Sequence, residues 1–355
     1  MKPKPLLVVV FAAGLILSSM DPQKSAADEF YQGKTITIIQ GREPGGTGAI
    51  RIRAVMPFLQ KHIPGNPTIV SEFMPGAGGR KAANHIFNNA KPDGLTIGNV
   101  GSGVVSASVL GETGVAYDLD KFFYLGSPYS THQAVFVSRK EAGFDGIEKL
   151  RKASGIRIGG QTVGHSVYIE GRLFAYFIGL KDPTFVTGYS GPELDVALMR
   201  GEIDARATSA DTVARRNPQW LEKKIVDFHA TIDVPKGDRH PSFTHLPELE
   251  SFARSENDRK LITMQRTFRV VGQPFILPFG TPRDRVEILQ EAFRKIYQDP
   301  EFHEHYKKLT TDDATPLLPE VQEAVIRAIP RDREVGQMYK KLMGSDSLPT
   351  HETMK

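Results

Sequence analysis

Gly41-Arg-Glu-Pro-Gly-Gly-Thr-Gly48 follows an alternating, β-branched run, Thr35-Ile-Thr-Ile-Ile39, and precedes Ala49-Ile-Arg-Ile-Arg-Ala-Val-Met56. The run before it has strand character, and the segment after it suits a helix. A glycine-rich turn between the two lets backbone approach a ligand closely. The helix start offers N–H groups without intrahelical partners, which suit an anion. The stretch reads as a small-anion cradle, held by either a binding protein or an enzyme. Pro57 sits where the helix would run on toward Leu59 and Ile63, so that helix is expected to be short or bent.

The same unit recurs along the chain. Thr68-Ile-Val-Ser-Glu-Phe73 reads as a strand and Pro75-Gly-Ala-Gly-Gly79 as a second glycine loop before a helical segment. Leu95-Thr-Ile-Gly-Asn-Val100 is a third strand, closed by Gly101-Ser-Gly103. A second series begins near Gln133-Ala-Val-Phe-Val-Ser138. It continues through Ile156-Arg-Ile-Gly159, Thr184-Phe-Val186, Ile203-Asp-Ala-Arg-Ala207 and Lys224-Ile-Val-Asp-Phe228, with helical segments between. Phe268 to Leu277 reads as a return path, followed by an amphipathic helix from Arg283 to Tyr297. Strands alternating with helices predict α/β architecture, with the loops gathered at the carboxyl edges of the sheets. Two such series joined by two crossings predict two lobes about a hinge, with a ligand between them.

The chain has 355 residues, a hydrophobic fraction of 40%, a charged fraction of 24% and a net charge of +4. These values fit a soluble globular protein of two ordinary domains or one large one. The basic residues are scattered, which gives no footprint for nucleic acid. Lys2 and Lys4, the apolar run Leu6 to Leu17 and Ser25-Ala-Ala27 predict a signal peptide cleaved before Asp28, and hence export to the periplasm. The cysteine count is zero, which excludes lipoprotein attachment, thiol catalysis and cysteine-ligated metal.

Tyr31-Gln-Gly-Lys-Thr-Ile-Thr-Ile-Ile39, Pro44-Gly-Gly-Thr47, Met74-Pro-Gly-Ala-Gly-Gly79 and Lys91-Pro-Asp-Gly-Leu-Thr96 resemble the N-terminal half of the tripartite tricarboxylate transporter receptors, the TctC or Bug family. Tyr117-Asp118, Gly164-His-Ser166, Gly188-Tyr-Ser-Gly191, Gly201-Glu-Ile-Asp204 and Pro278-Phe-Gly-Thr-Pro282 resemble later signposts of that family, in order. The resemblance implies a type II periplasmic-binding-protein (Venus-flytrap) fold. It also implies a monomeric receptor that captures a small organic acid and delivers it to the large and small subunits of a membrane permease. No cofactor or metal is implied. The division expected is 1–27 signal peptide, 28–132 first lobe, 133–267 second lobe, 268–343 first-lobe return segment and C-terminal helices, and 344–355 frayed tail. The family usually reads Gly-Gly-x-Thr-Asp in its first loop. Here Thr47 is displaced by one and Ala49 replaces the Asp, while Arg42 stands where many members have an apolar residue.

Candidate ligand contacts follow from the loops. Thr47 with the N–H groups of Gly45 and Gly46 forms the first cradle, and Gly76, Ala77, Gly78 and Gly79 the second. Arg42 reads either as a bidentate, charge-assisted contact or as a solvated loop arginine. Ser102 is either a donor or a helix N-cap. In the second lobe, Thr162, His165 and Ser166 are placed to face the cleft, and Tyr189 reads either as closing over an apolar or aromatic ligand or as a core tyrosine. Ser209 and Asp211 follow a strand end, where Asp211 suits a hydroxyl or cationic group or a helix cap.

Nothing in the sequence supports an enzyme. Gly46-Thr-Gly-Ala-Ile-Arg51 puts Arg in the third glycine position of a dinucleotide fingerprint. There is no G-x-S-x-G elbow and no P-loop lysine. His303-Glu-His305 cannot present one metal-binding face of a helix. An exported sensor that shows its ligand-bound form to a signalling partner is the other binding-protein reading.

Overall fold

The structure is a computed structural model that describes residues 30–351, so the expected signal peptide lies outside the described residues. The first lobe opens with β1 (Thr35–Gln40), α1 (Thr47–His62), β2 (Thr68–Phe73), α2 (Arg80–Asn88), β3 (Thr96–Asn99), α3 (Ser102–Val109) and β4 (Phe123–Gly126). The second lobe follows with β5 (His132–Arg139), α4 (Ile147–Lys152), β6 (Arg157–Gly159), α5 (Ser166–Ile178), β7 (Thr184–Val186) and α6 (Gly191–Arg200). It continues with β8 (Ala205–Ser209), α7 (Ala210–Arg216), α8 (Pro218–Glu222), β9 (Val226–Val234) and α9 (Glu256–Val270). The chain ends with β10 (Phe275–Leu277), α10 (Arg283–Gln298), α11 (Pro300–Thr310), α12 (Pro319–Arg327) and α13 (Arg333–Met343).

Each lobe has one five-stranded mixed sheet, in the orders β2-β1-β3-β10-β4 and β7-β6-β8-β5-β9. The parallel strands, β1 with β2 and β3, and β6 with β7 and β8, are joined by helices, as parallel pairing requires. Each sheet also takes a strand next to a crossing. β10 returns antiparallel between β3 and β4, and β5 enters antiparallel between β8 and β9. The two lobes therefore share their connections rather than following one another like beads.

Local sequence explains the element ends. Ser190 and Glu193 form a capping box at the start of α6, and Gly201 ends that helix in the left-handed conformation. Ser255 and Asp258 form the equivalent box on α9. α1 runs on past Pro57 to His62, so it is not cut short there. Pro57 lies on the exposed face, where water can satisfy the carbonyl it frees.

Two expectations about the C-terminus are corrected. α12 packs on β4 of the first lobe, but α13 packs on α5 and α9 of the second. Residues 328–332 thus make a third crossing beside 127–131 and 271–274. The described part of the expected frayed tail is anchored: Tyr168 donates to the carbonyl of Gly344 at 2.7 Å, and the His351 ring lies 4.1 Å from that of Tyr176. The crossings are tied together as well. Gln273 donates its N–H to Ser127 Oγ at 2.9 Å, and Gln322 donates to the carbonyl of Val271 at 2.6 Å.

Candidate functional site

A cavity of about 120 Å³ lies between the lobes, where helix starts from both sides converge. Its lining includes Gly46, Thr47 and Gly48 of α1, Gly101, Ser102 and Gly103 of α3, His165 and Ser166 of α5, and Gly191 of α6. α1 and α3 each follow a glycine and have no side-chain cap. The N–H groups of Thr47, Gly48, Ser102 and Gly103 make no backbone hydrogen bond. They are available to a ligand at the uncapped, positive starts of α1 and α3.

Side chains add to that positive potential. Arg42, at the end of β1, is buried and has no carboxylate within ion-pair distance among the described residues. Its guanidinium donates to the side-chain oxygen of Asn99, and its Nε has no partner. Burial pushes it down to about 10, and neighbouring Arg51 pushes the same way. The other arginines of the lining each meet a carboxylate. Arg51 meets Asp211 at 2.6 Å across the lobes, with its guanidinium 3.7 Å above the Tyr129 ring. Arg269 meets Glu170 at 3.0 Å, and Arg206 and Arg216 share Asp195.

The lobes are closed on each other. Thr47 Oγ1 lies 2.7 Å from Thr212 Oγ1 and accepts from Arg215 at 3.0 Å. Gly78 donates its N–H to Thr162 Oγ1 at 3.3 Å, and Arg269 donates to Ser102 Oγ at 3.0 Å. Gly78 has φ +65°, and a Cβ on it would come within 2.7 Å of the carbonyl carbon of Gly164. Only glycine at position 78 allows this approach.

Two histidines carry a pH signature. His165 Nδ1 accepts from the N–H of Val167 at 3.2 Å, and His229 lies 2.8 Å from Ser138 Oγ in the second-lobe core. Burial, aided at His165 by Arg42 and Arg269, holds both near 4. Unfolded histidine titrates at about 6.5, so between these values the unfolded chain binds more protons. Stability is fully present above about 6.5 and falls as pH drops toward 4, by on the order of 3 kcal/mol at the low end for the buried His229 ring and by less for His165, which lines the cleft. Urea midpoints measured from pH 7 to pH 4.5 should fall, and His229→Gln should flatten the curve. A midpoint independent of pH would contradict the buried neutral rings.

Of the residues proposed from sequence, Arg42, Gly46, Thr47, Gly78, Ser102, His165, Ser166 and Ser209 line the cavity. The solvated reading of Arg42 is corrected by its burial. Gly45, Gly76, Ala77 and Gly79 stand in the same loops but outside the lining, and Thr162 is occupied with Gly78. Tyr189 does not reach the cleft. It packs half-buried in the second lobe and directs its hydroxyl to Glu202 at 3.4 Å. Asp211 is neither a cap nor a free acceptor, because Arg51 holds it. Ser102 is the first residue of α3 and Gly101 its N-cap. Sequence reading missed Arg51, Tyr129, His132, Glu170, Arg206, Thr208, Thr212, Arg216, Arg269 and Gln273. One signal was available: Glu170 and Arg206 fall within mainly apolar segments, and a buried charge needs a partner or a role.

The fold is shared with solved periplasmic binding proteins. The structure of BugD superposes with a TM-score of 0.68 at 18% identity, over 88% of this chain and 98% of that one. MatC from Rhodopseudomonas palustris with bound malate gives 0.65 at 19%, over 87% and 99%. A further R. palustris protein, with adipate, gives 0.66 at 16%, over 87% and 97%. No family model matches the sequence, and no curated protein matches it. These likenesses show the two-lobe fold. No helix among the described residues is long and apolar enough to cross a membrane.

Proposed function

We propose that this chain is an exported solute-binding receptor that captures a small organic carboxylate between its lobes and presents the closed form to the permease of a tripartite tricarboxylate-type transporter. The observation that carries the reading is Arg42: a buried guanidinium with no carboxylate partner, set among uncapped helix starts in the cleft. Such a group lacks only an anion. The structural neighbours, solute-binding proteins with malate or adipate, support a carboxylate as that anion. They also support binding rather than catalysis. The cycle is capture by the first lobe, closure of the second, and recognition of the closed form. The ligand drives closure only through contacts it gains there.

A thermal-shift screen of mono-, di- and tricarboxylates and aromatic acids tests this. At 100 times Kd a ligand adds about 2.7 kcal/mol, or roughly 5 °C in Tm. At least one organic acid is expected to produce such a rise. A screen with no shift from any of them would remove the reading.

A further inference from the structure

We propose that Glu170 and Arg269 are positioning residues for ligand binding: together they commit the Ser102 hydroxyl to donate into the cleft, so that this position takes only a hydrogen-bond acceptor of the ligand. This rests on the receptor reading above. It adds what that reading leaves open, how a hydroxyl that can both donate and accept is held to one role.

The relay starts at Glu170, which is 2% exposed, stands on α5 and lines the cleft. Its Oε1 lies 3.0 Å from Arg269 Nε and 3.0 Å from His132 Nε2. His132 opens β5 just after one crossing, and Arg269 stands in the last turn of α9 just before another. One carboxylate thus holds the ends of two crossings. Burial pushes Glu170 up, but Arg269 and His132 outweigh it and keep the carboxyl below its ordinary value. It is an ion at neutral pH and can only accept. Burial and Arg269 push the His132 imidazole down, so the ring is neutral and gives its Nε2–H to Glu170.

Arg269 carries the order to the first lobe. A guanidinium has donors only, and Nη1 donates to Ser102 Oγ at 3.0 Å. Both residues are buried. A serine hydroxyl has one hydrogen, and with Arg269 on a lone pair that hydrogen must find an acceptor elsewhere. Ser102 donates it to no group among the described residues. Ser102 lines the cleft, beside its own free N–H and that of Gly103. The start of α3 therefore turns three donors toward one place.

Thr47, at the start of α1, shows the contrast. Its Oγ1 also accepts from an arginine, Arg215 at 3.0 Å. It lies 2.7 Å from Thr212 Oγ1, however, which lies 2.7 Å from Ser209 Oγ. Its hydrogen has an acceptor across the lobe boundary, and the chain of hydroxyls takes it up. Of the two hydroxyls at first-lobe helix starts in the cleft, Ser102 is the one that keeps its hydrogen for a ligand.

A double-mutant cycle read by calorimetric titration tests the relay. The probes are acetate, succinate, malate, adipate, citrate and benzoate, and the tightest binder is carried through the cycle. In the wild type, Ser102→Ala keeps the N–H and should weaken that acid by about 10-fold or more, as for a hydrogen bond to a charged group. In the Glu170→Gln background the same change should cost less than about 3-fold, because Arg269 is no longer fixed and the hydroxyl is free to turn. Glu170→Gln leaves Arg269 without its carboxylate. Glu170→Gln combined with Arg269→Met strands neither charge, and in this second background Ser102→Ala should again cost less than about 3-fold. If Glu170 only propped the fold, its loss would lower the melting temperature and leave the Ser102→Ala factor unchanged. An unchanged factor in either background that folds, or no effect of Ser102→Ala in the wild type, would overturn the relay and leave the receptor reading standing. Binding of none of the six acids by the wild type would remove both.

Discussion

Gly103→Ala should weaken ligand binding by roughly 10- to 100-fold while leaving the protein as stable as before, or slightly more so. Gly103 sits in the first turn of α3 with ordinary helical geometry, where alanine is favoured over glycine by about 0.5–1 kcal/mol. In the closed form, however, a Cβ at this position would collide with the carbonyl oxygen of Gly164 on the opposite lobe. That oxygen belongs to the backbone and cannot rotate away, so closure carries an overpacking cost of about 1–3 kcal/mol. Opening the lobes removes the collision, which is why the fold is spared. Gly78 and Gly164 would be poorer choices, because both have positive φ and a side chain there is strained in any lobe arrangement. Small-angle scattering should show a larger radius of gyration for Gly103→Ala in the presence of saturating ligand for the wild type. Unchanged affinity with an unchanged radius would mean that the bound state does not bring these two glycines together.

The elements behind this prediction were legible to unequal degrees. β1, β2 and β3 with their glycine loops could be read directly, because β-branched alternation followed by glycine is a local signal. α6 is as legible, from Pro192 in its first turn and Gly201 at its end, although its Ser190–Glu193 capping box was not read. β8 was placed two residues early, since Ile203-Asp204 looks like its start. Asp204 instead accepts from Arg139 and Arg157, and pairing begins at Ala205. The antiparallel insertions of β5 and β10, and the passage of α13 back to the second lobe, depend on which surfaces remain uncovered once the rest has folded. No window of sequence carries that information. The same holds for charge pairing. Arg51 and Asp211 are 160 positions apart, and each alone looks like a surface residue. The cradle was therefore visible in sequence, whereas the arginine network that gives it its charge was not.

That network separates two arginines that sequence treats alike, and the contrast gives the largest expected effect on binding. Arg42→Met should lower affinity by about 2–4 kcal/mol, or roughly 30- to 1000-fold, the range for removing one partner of a buried, hydrogen-bonded charge pair. The free protein should not suffer. Arg42 bonds to Asn99, a neutral group, so its loss strands no buried carboxylate. It also removes a cation that burial already disfavours, beside the positive starts of α1 and α3. Its melting temperature should hold or rise. Arg51→Met should behave in the opposite way. It leaves Asp211, 6% exposed, without its 2.6 Å partner in the closed form, which costs about 3–5 kcal/mol unless the lobes part to let water in. Its melting temperature should fall, and its affinity should fall through opening rather than through a lost contact. Thermal melts and titrations on the two variants separate these outcomes. A destabilised Arg42→Met would show that this guanidinium is a structural cation after all, and the anion site would then have to rest on backbone N–H groups alone.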